Sequence, residues 1–78
     1  MSKFIKLSEL PVGCWGKIIE VSSQGLSKQR LLDIGIIPGS KIYVLRKSFS
    51  GDPTAYIIRD TTIALRKEET SNISVIKI

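Results

Sequence analysis

The most informative absences in this sequence concern the residues that usually carry catalysis and metal binding. The 78 residues include no histidine and a single cysteine, Cys14. Histidine is the commonest general base and the commonest side-chain ligand of transition metals, so the chain lacks the usual material for both tasks. Cys14 has neither a histidine to activate it nor a second cysteine at metal-binding spacing. We therefore predict no enzyme activity, no metal site and no cofactor, and we interpret Cys14 as a half-buried strand thiol.

A lone cysteine also excludes an internal disulfide, so this chain does not belong to the small secreted proteins that disulfides hold together. The N-terminal residues lack the apolar core of a signal peptide, and no apolar run approaches the roughly 20 residues of a membrane helix. A chain of 78 residues is too short to divide into two independent cores. These features predict one cytoplasmic domain over residues 1–78, without direct membrane insertion.

Aromatic residues are scarce, at 6%, whereas positive charge is in excess, with a formal net charge of +5. A basic balance favours anionic partners, but most of the lysines are scattered singly along the chain. RNA binding by a small basic barrel is the alternative to a protein-interaction function, and exposed aromatics beside Lys or Arg would be its signature. Only Tyr43 and Tyr56 are candidates for such stacking aromatics, and because they are so few, nucleic acid is not the favoured partner. We expect Trp15 in the core, with a partner anchor as the alternative.

Short segments rich in β-branched residues, bounded by turn residues, predict a mainly β fold. Five strands are expected, over residues 15–21, 41–47, 54–59, 62–65 and 73–78. Ile42 and Val44 should share one face of their strand, and Gly16 should mark a bulge or a close backbone approach. Arg66 to Asn72 should form an exposed turn. Five short strands favour a small, partly open barrel over a flat sheet, because closure removes exposed edges.

One short helix is predicted between the first two strands. Ser27 suits its N-cap, Gly35 suits the position just beyond its end, and Leu31 and Ile34 share a face. A helix of about two turns is not stable alone, so it must pack against the sheet. The following Ile36-Ile37-Pro38-Gly39 predicts a type II turn.

Three motifs in their order resemble the FeoA family. They are Arg30-Leu31-Leu32-Asp33-Ile34-Gly35-Ile36-Ile37-Pro38-Gly39, then Gly51-Asp52-Pro53, then Ile63-Ala64-Leu65-Arg66-Lys67-Glu68-Glu69. The resemblance extends from Leu7 to Ile78 and implies a small SH3-like β-barrel with one short inserted helix. It also implies a cytosolic accessory protein of ferrous iron uptake, which docks on and modulates FeoB, a membrane iron transporter with a GTP-binding domain. The same domain type is found appended to metal-dependent repressors, but these 78 residues include no helix-turn-helix segment, so we expect the transport-accessory function.

A docking module of this kind needs apolar side chains outside its core, and the helical segment carries more of them than one-sided packing requires. We expect partner contacts from Leu26, Arg30, Leu31, Ile34, Ile37, Asp52 and Pro53. Arg30 offers bidentate hydrogen bonds to a carboxylate or phosphate. The expected partner is the cytosolic portion of a FeoB-type transporter. Pairing of the last strand, Ile73 to Ile78, with a copy of itself leaves a homodimer open as well.

Overall fold

The structure, a computed structural model, describes residues 3–78, so Met1 and Ser2 of the expected domain lie outside the described residues. This part of the chain forms six strands and two short helices. The strands are β1 (Ile5–Lys6), β2 (Trp15–Val21), β3 (Lys41–Lys47), β4 (Thr54–Ile58), β5 (Thr61–Leu65) and β6 (Ile73–Lys77). The helices are α1 (Gly25–Asp33) and α2 (Lys67–Thr70), and a 3-10 turn covers Leu7–Glu9.

The six strands form one antiparallel sheet in the order β1-β6-β2-β3-β4-β5. The register shifts between Ile18 and Glu20, where β2 pairs with β6, and again between Val44 and Arg46, where β3 pairs with β4. Such bulges bend a strand and increase its twist. Within residues 3–78 the sheet runs from β1 to β5 without joining these two strands, so it is open there. The prediction of a small, partly open barrel is confirmed.

Strand β6 lies between β1 and β2 and is paired on both sides. The expectation that Ile73 to Ile78 has a free edge for pairing with a copy of itself is therefore wrong, whereas a homodimer by another surface stays a prediction. The strand that covers it, β1, was missed in the sequence. Its two residues are too few to show an alternating pattern, and they become a strand only because β6 supplies their hydrogen-bonding partner.

The core lies against the inner face of the sheet and is almost entirely aliphatic. It consists of Leu7, Leu10, Ile18, Val21, Leu31, Ile36, Ile42, Val44, Tyr56, Ile58, Leu65, Ile73 and Val75. The shared inward face of Ile42 and Val44 is confirmed. So is the close approach at Gly16, because a β-carbon there would lie 2.9 Å from Cδ2 of Leu10. Each aliphatic side chain buried in this way contributes about 1.5–3 kcal/mol relative to exposure.

Helix α1 begins at Gly25 with Gln24 as its N-cap, so the prediction of Ser27 as N-cap is wrong. Its C-terminal end is as predicted, with Gly35 at a φ of +101° just beyond the helix. The Gly35 N–H donates to the Leu32 carbonyl at 3.0 Å, and the Ile36 N–H donates to the Leu31 carbonyl at 2.9 Å. These two bonds form a Schellman motif, and its expected apolar contact is made by the buried Leu31 and Ile36.

The connections after α1 are tight turns. Gly39 has a φ of +94° and the Ser40 N–H donates to the Ile37 carbonyl at 3.0 Å, which confirms the type II turn. Between β4 and β5 the turn is centred on Arg59 and Asp60, which both have positive φ, so the strands expected over residues 54–59 and 62–65 end and begin one residue earlier than predicted. Positive φ at both central positions is the type I′ geometry that matches the twist of a two-residue hairpin.

The segment from Arg66 to Asn72 contains helix α2 instead of being only an exposed turn. Its backbone folds into one helical turn, in which the Thr70 N–H donates to the Arg66 carbonyl at 3.0 Å. Thr70 is buried and attaches this turn to the core, whereas Arg66, Lys67 and Glu68 are exposed, as expected of the segment. No helix within residues 3–78 has the length and apolar character needed to cross a membrane.

Candidate partner-binding surface

Helix α1 keeps most of its side chains outside the core. Leu26 is 89% exposed, and the side chain of Arg30 is 54% exposed. Ile34, just past the last turn, is partly buried against the core, and Ile37 in the following turn is also partly buried. We call Leu26, Arg30, Ile34 and Ile37 the helix surface. It combines one fully projecting leucine, one cation and two partly covered isoleucines.

Leu31 does not belong to this surface. It is 0% exposed and lies in the hydrophobic core, where it attaches α1 to the sheet. A side chain without exposed area cannot contact a partner while the fold is intact, so the expectation that Leu31 takes part in binding is corrected. The helical pattern placed Leu31 and Ile34 on one face, but it did not indicate which of the two would be fully covered.

Helix α2 joins the helix surface to the Gly51-Asp52-Pro53 loop. The Arg30 guanidinium forms an ion pair with the Glu69 carboxylate. On the other side, the Lys67 N–H donates to Oδ1 of Asp52 at 2.9 Å. Asp52 and Pro53 are themselves partly buried. The two regions expected to bind a partner are therefore held on either side of one helical turn that the sequence prediction had left as a loop.

A polar groove of about 530 Å³ lies between α1 and α2. It is lined by Ser23, Gln24, Ser27, Arg30, Glu68, Glu69 and Asn72. This set offers hydroxyl, amide and carboxylate groups, but its cation is already paired with Glu69. The lining of the groove has neither cysteine nor histidine. Its geometry suits polar contacts at the margin of an interface.

Trp15 lies on the outer face of the sheet and is 46% exposed, so the expectation that it fills the core is wrong. The signal was present in the alternation of β2: Gly16 and Ile18 point inward, which leaves Trp15 and Lys17 on the outer face. The Trp15 ring packs on Tyr43 of β3, with ring centroids 5.0 Å apart and an angle of 49° between the planes. This tilted arrangement is a favourable one for an aromatic pair.

An isoleucine lies on each side of this aromatic pair, so that an apolar row crosses the outer face of the sheet from the end of β6, over β2 and β3, to β4. On one side of Trp15, the Ile78 N–H donates to the Trp15 carbonyl at 3.1 Å, directly after β6. On the other side, Tyr43 is paired in register with Ile57 of β4. We call Ile78, Trp15, Tyr43 and Ile57 the outer row. It was not anticipated as a candidate surface from the sequence, because its members come from four separate segments.

Positive charge borders the outer row. Lys17 and Lys41 are direct cross-strand neighbours in the pairing of β2 with β3. Among residues 3–78 neither of them forms an ion pair. Lys41 also lines a groove of about 330 Å³ with Trp15, Ser40, Ile57, Arg59 and Asp60. Like charges directly opposite each other destabilise a sheet, so the two ammonium groups beside the outer row repel each other without a compensating carboxylate among the described residues.

Tyr56, the other aromatic considered for nucleic-acid stacking, is only 2% exposed and faces the core. It cannot act as a stacking platform, and that part of the expectation is corrected. Burial raises the pKa of the Tyr56 phenol above its ordinary value, and interaction with the side chains of Thr70 and Thr54 offsets part of the rise. Tyr56 therefore has a structural role, at the place where β4 meets helix α2.

Cys14 immediately precedes β2 and is partly buried against the core, as predicted for a half-buried thiol. Within the described part of the chain, no group of three or more cysteine, aspartate or glutamate side chains is placed to hold a metal ion. What the described side chains do offer is a set of contact surfaces: the helix surface with its neighbouring Asp52-Pro53 loop, and the outer row with its basic border.

Comparison with solved structures places this fold among known ones. The chain is 33% identical to a FeoA-like protein from Clostridium acetobutylicum, with a TM-score of 0.86 over 96% of this chain and 87% of that one. It is 25% identical to FeoA of Stenotrophomonas maltophilia, solved with zinc and described as a prokaryotic SH3 domain protein. That structure gives a TM-score of 0.82 over 91% of this chain and 88% of the other. The fold is therefore SH3-like, as expected.

Sequence comparison agrees with the structural one. A relative from Porphyromonas gingivalis, an Fe(2+) transport protein A/Fe(2+) transporter FeoB fusion protein, is 34% identical over 71 residues. The match covers 91% of this chain but only 8% of the length of that relative. The model of the FeoA domain family matches residues 5–77, from β1 to the end of β6. The chain belongs to the FeoA family, whose members act in ferrous iron transport.

Proposed function

We propose that this protein is a non-enzymatic cytosolic accessory of ferrous iron uptake, which docks on the cytosolic portion of a FeoB-type transporter and modulates its transport. The observation that carries the proposal is the Porphyromonas gingivalis relative, in which a segment like this chain is part of the same polypeptide as a FeoB transporter. A covalent connection gives two modules a high effective concentration for each other. That advantage matters most for modules that act by contact.

The fold supports a mechanism based on docking. A sheet with a packed aliphatic core is a stable platform, and it presents the helix surface and the Asp52-Pro53 loop side by side through helix α2. Binding by this platform would favour whichever conformation of the transporter it fits better. The shift in the transporter's equilibrium cannot exceed the difference between its affinities for the two conformations.

The direct test is binding of the purified protein to the isolated cytosolic portion of the FeoB-type transporter from the same organism. We expect saturable binding, and we expect Leu26→Asp to weaken it, because that change places a charge on the most exposed leucine of the helix surface. Val12→Asp is the matched control, since Val12 is also an exposed apolar residue but lies outside the helix surface. Absence of binding by the folded wild-type protein at high micromolar concentration would contradict the proposal.

A transport assay tests the functional half of the proposal. The transporter is reconstituted in vesicles, and ferrous iron uptake is measured with and without this protein. We expect the uptake rate to change on addition of the wild-type protein and to change less with Leu26→Asp. An uptake rate that is insensitive to saturating wild-type protein would show that docking, if it occurs, does not modulate transport.

A further inference from the structure

We propose that the outer row and its basic border form a second docking surface, which binds an acidic segment of a protein partner carrying an apolar anchor residue. The identity of that partner as the transporter rests on the function proposed above, whereas the chemistry of the bound segment rests on this surface alone. The surface is distinct from the helix surface and uses none of its residues.

The apolar component of this surface comes from the outer row. Trp15 and Ile78 are both exposed large hydrophobic residues, and they are held next to each other by the hydrogen bond from Ile78 to Trp15. Tyr43 supports the Trp15 ring from the side, so the indole does not have to be ordered when a partner binds. Tryptophan and tyrosine in such rigid positions are the residues that most often dominate binding free energy.

The charged component of this surface determines which sign of charge a partner should carry. Lys17 and Lys41 face each other across the ladder, and Arg59 lines the same groove as Lys41, with Asp60 as the one carboxylate of that lining. Carboxylates from a partner would occupy the space between these cations and relieve the repulsion between the two lysines. The surface is therefore complementary to an acidic segment.

The arrangement of the rings favours a protein segment over nucleic acid. Bases stack on ring faces that are open to solvent, but here Tyr43 is half-buried and the two planes are inclined by 49°. The row also ends in an isoleucine on each side, Ile78 and Ile57, which match the methyl groups of an apolar side chain better than a base.

The groove also reaches the end of helix α1. The Arg59 side chain lies across Gly35, with its Cδ 3.0 Å from the position that a β-carbon would take there. Gly35 is the residue directly after the helix surface residue Ile34. One partner can therefore cover the helix surface and extend an acidic segment along the outer row.

The test is a titration of isotope-labelled protein followed by NMR, with three separate probes. They are the cytosolic portion of the transporter, a synthetic acidic peptide containing one leucine, and a thymidine oligonucleotide. We expect the first two to shift the Trp15 indole signal and the amides of β2 and β3. Trp15→Ala should weaken binding of both by about thirtyfold, as for an interface hot spot.

Charge reversal tests the basic border separately. The double variant Lys17→Glu, Lys41→Glu should weaken binding of the transporter portion and of the acidic peptide by about tenfold or more, because it replaces attraction of their carboxylates by repulsion. For the acidic peptide, its matched control is Lys28→Glu, Lys67→Glu, which changes the net charge equally at exposed lysines of α1 and α2, outside the outer row and its border. Circular dichroism establishes that each variant is folded before binding is measured.

Each outcome decides between the two proposals. Transporter-induced shifts confined to the helix surface, with unchanged affinity in the Trp15 and Lys17/Lys41 variants, would overturn this inference and leave the proposed function standing. If the transporter does not bind at all, the proposed function fails, and the acidic peptide alone decides the inference: shifts on the outer row support it and their absence overturns it. Tighter binding of the oligonucleotide than of the peptide would overturn it in favour of nucleic acid.

Discussion

The sheet and helix α1 are attached to the molecule in very different ways. Every strand is fixed by backbone ladders to at least one neighbour, and most contribute buried aliphatic side chains. Helix α1, in contrast, has one buried residue within its bounds, Leu31. The segment is also attached by its Schellman ending, with the buried Ile36, by the partly buried Ile34, and by the ion pair between Arg30 and Glu69.

This difference assigns separate tasks to the two regions. A segment with few buried contacts opens locally at a lower free energy than the global unfolding of the domain. Helix α1 should therefore be the adaptable part of the molecule, able to adjust its exposed side chains to a partner. The sheet, with its continuous ladders, keeps the outer row in a fixed geometry whether or not α1 is in place.

The largest expected effect comes from removing the side chain that anchors α1. Leu31→Ala should lower the free energy of unfolding by about 2–5 kcal/mol, because it leaves a cavity and removes buried apolar contacts. Leu26→Ala, in the same helix, should change it by no more than about 0.5 kcal/mol, since Leu26 is 89% exposed. Chemical denaturation followed by circular dichroism measures both values.

Hydrogen exchange sharpens the same comparison. In Leu31→Ala the amides of α1 should exchange faster than those of β3, because the helix loses its attachment while the ladders remain. Ile42→Ala, a core truncation within β3, should instead accelerate exchange in the sheet and the helix together. Equal acceleration throughout the molecule in both variants would show that α1 does not open independently.

An intermediate effect is expected at Tyr56, on the sheet side of the comparison. The pKa of the Tyr56 phenol is higher in the folded than in the unfolded state, mainly because of burial. The contribution of this phenol to the free energy of unfolding is therefore complete below pH about 10 and is lost as the pH rises through the folded-state pKa. Tyr56→Phe should lower the free energy of unfolding by at most about 1 kcal/mol at neutral pH, through loss of the hydroxyl's polar interaction with the side chains of Thr70 and Thr54.

The measurement is the free energy of unfolding of the wild type and of Tyr56→Phe between pH about 8 and about 11. The wild type should be the more stable protein at the lower end, and its advantage should disappear as the phenol ionises. Two curves that remain parallel over this whole range would contradict the assigned role of the buried phenol.

The smallest expected effect concerns the ion pair between Arg30 and Glu69. Because the Arg30 side chain is 54% exposed, solvent screens the pair, and a double-mutant cycle with Arg30→Ala and Glu69→Ala should give a coupling of about 0.5 kcal/mol. The coupling should decrease in high salt. A coupling several times larger would mean that α1 is held to α2 as firmly as the strands are held to each other.

Much of the fold followed from local patterns in the sequence. Alternation identified the inner face of β3, and Gly35 and Gly39 marked the end of α1 and the type II turn because both require positive φ. Strand β1 and helix α2 were missed, since elements of two and four residues exist only through their tertiary neighbours. The start of α1 was misplaced because Gln24 makes no side-chain capping bond that the sequence could signal.

The candidate surfaces were harder to predict, for a physical reason. The sequence indicates that an apolar residue prefers burial, but not which residues fill the limited volume of a small core. Leu31 and Tyr56 are buried in that core, whereas Trp15 and Leu26 are exposed. The inward orientation of Gly16 and Ile18 was a usable signal for Trp15, but the assembly of the outer row from four segments depends on strand order.

The pairing of β1 with β6 has a consequence for how this fold can be built into other proteins. Ile5 lies opposite Val75 in an antiparallel ladder, so the chain enters the first strand beside the point where it leaves the last. A domain with this geometry can be tethered from either end at the same corner of the barrel. A short linker from the end of β6 to the start of β1 would also leave every ladder of the described residues intact, so new chain ends could be opened in an exposed turn instead.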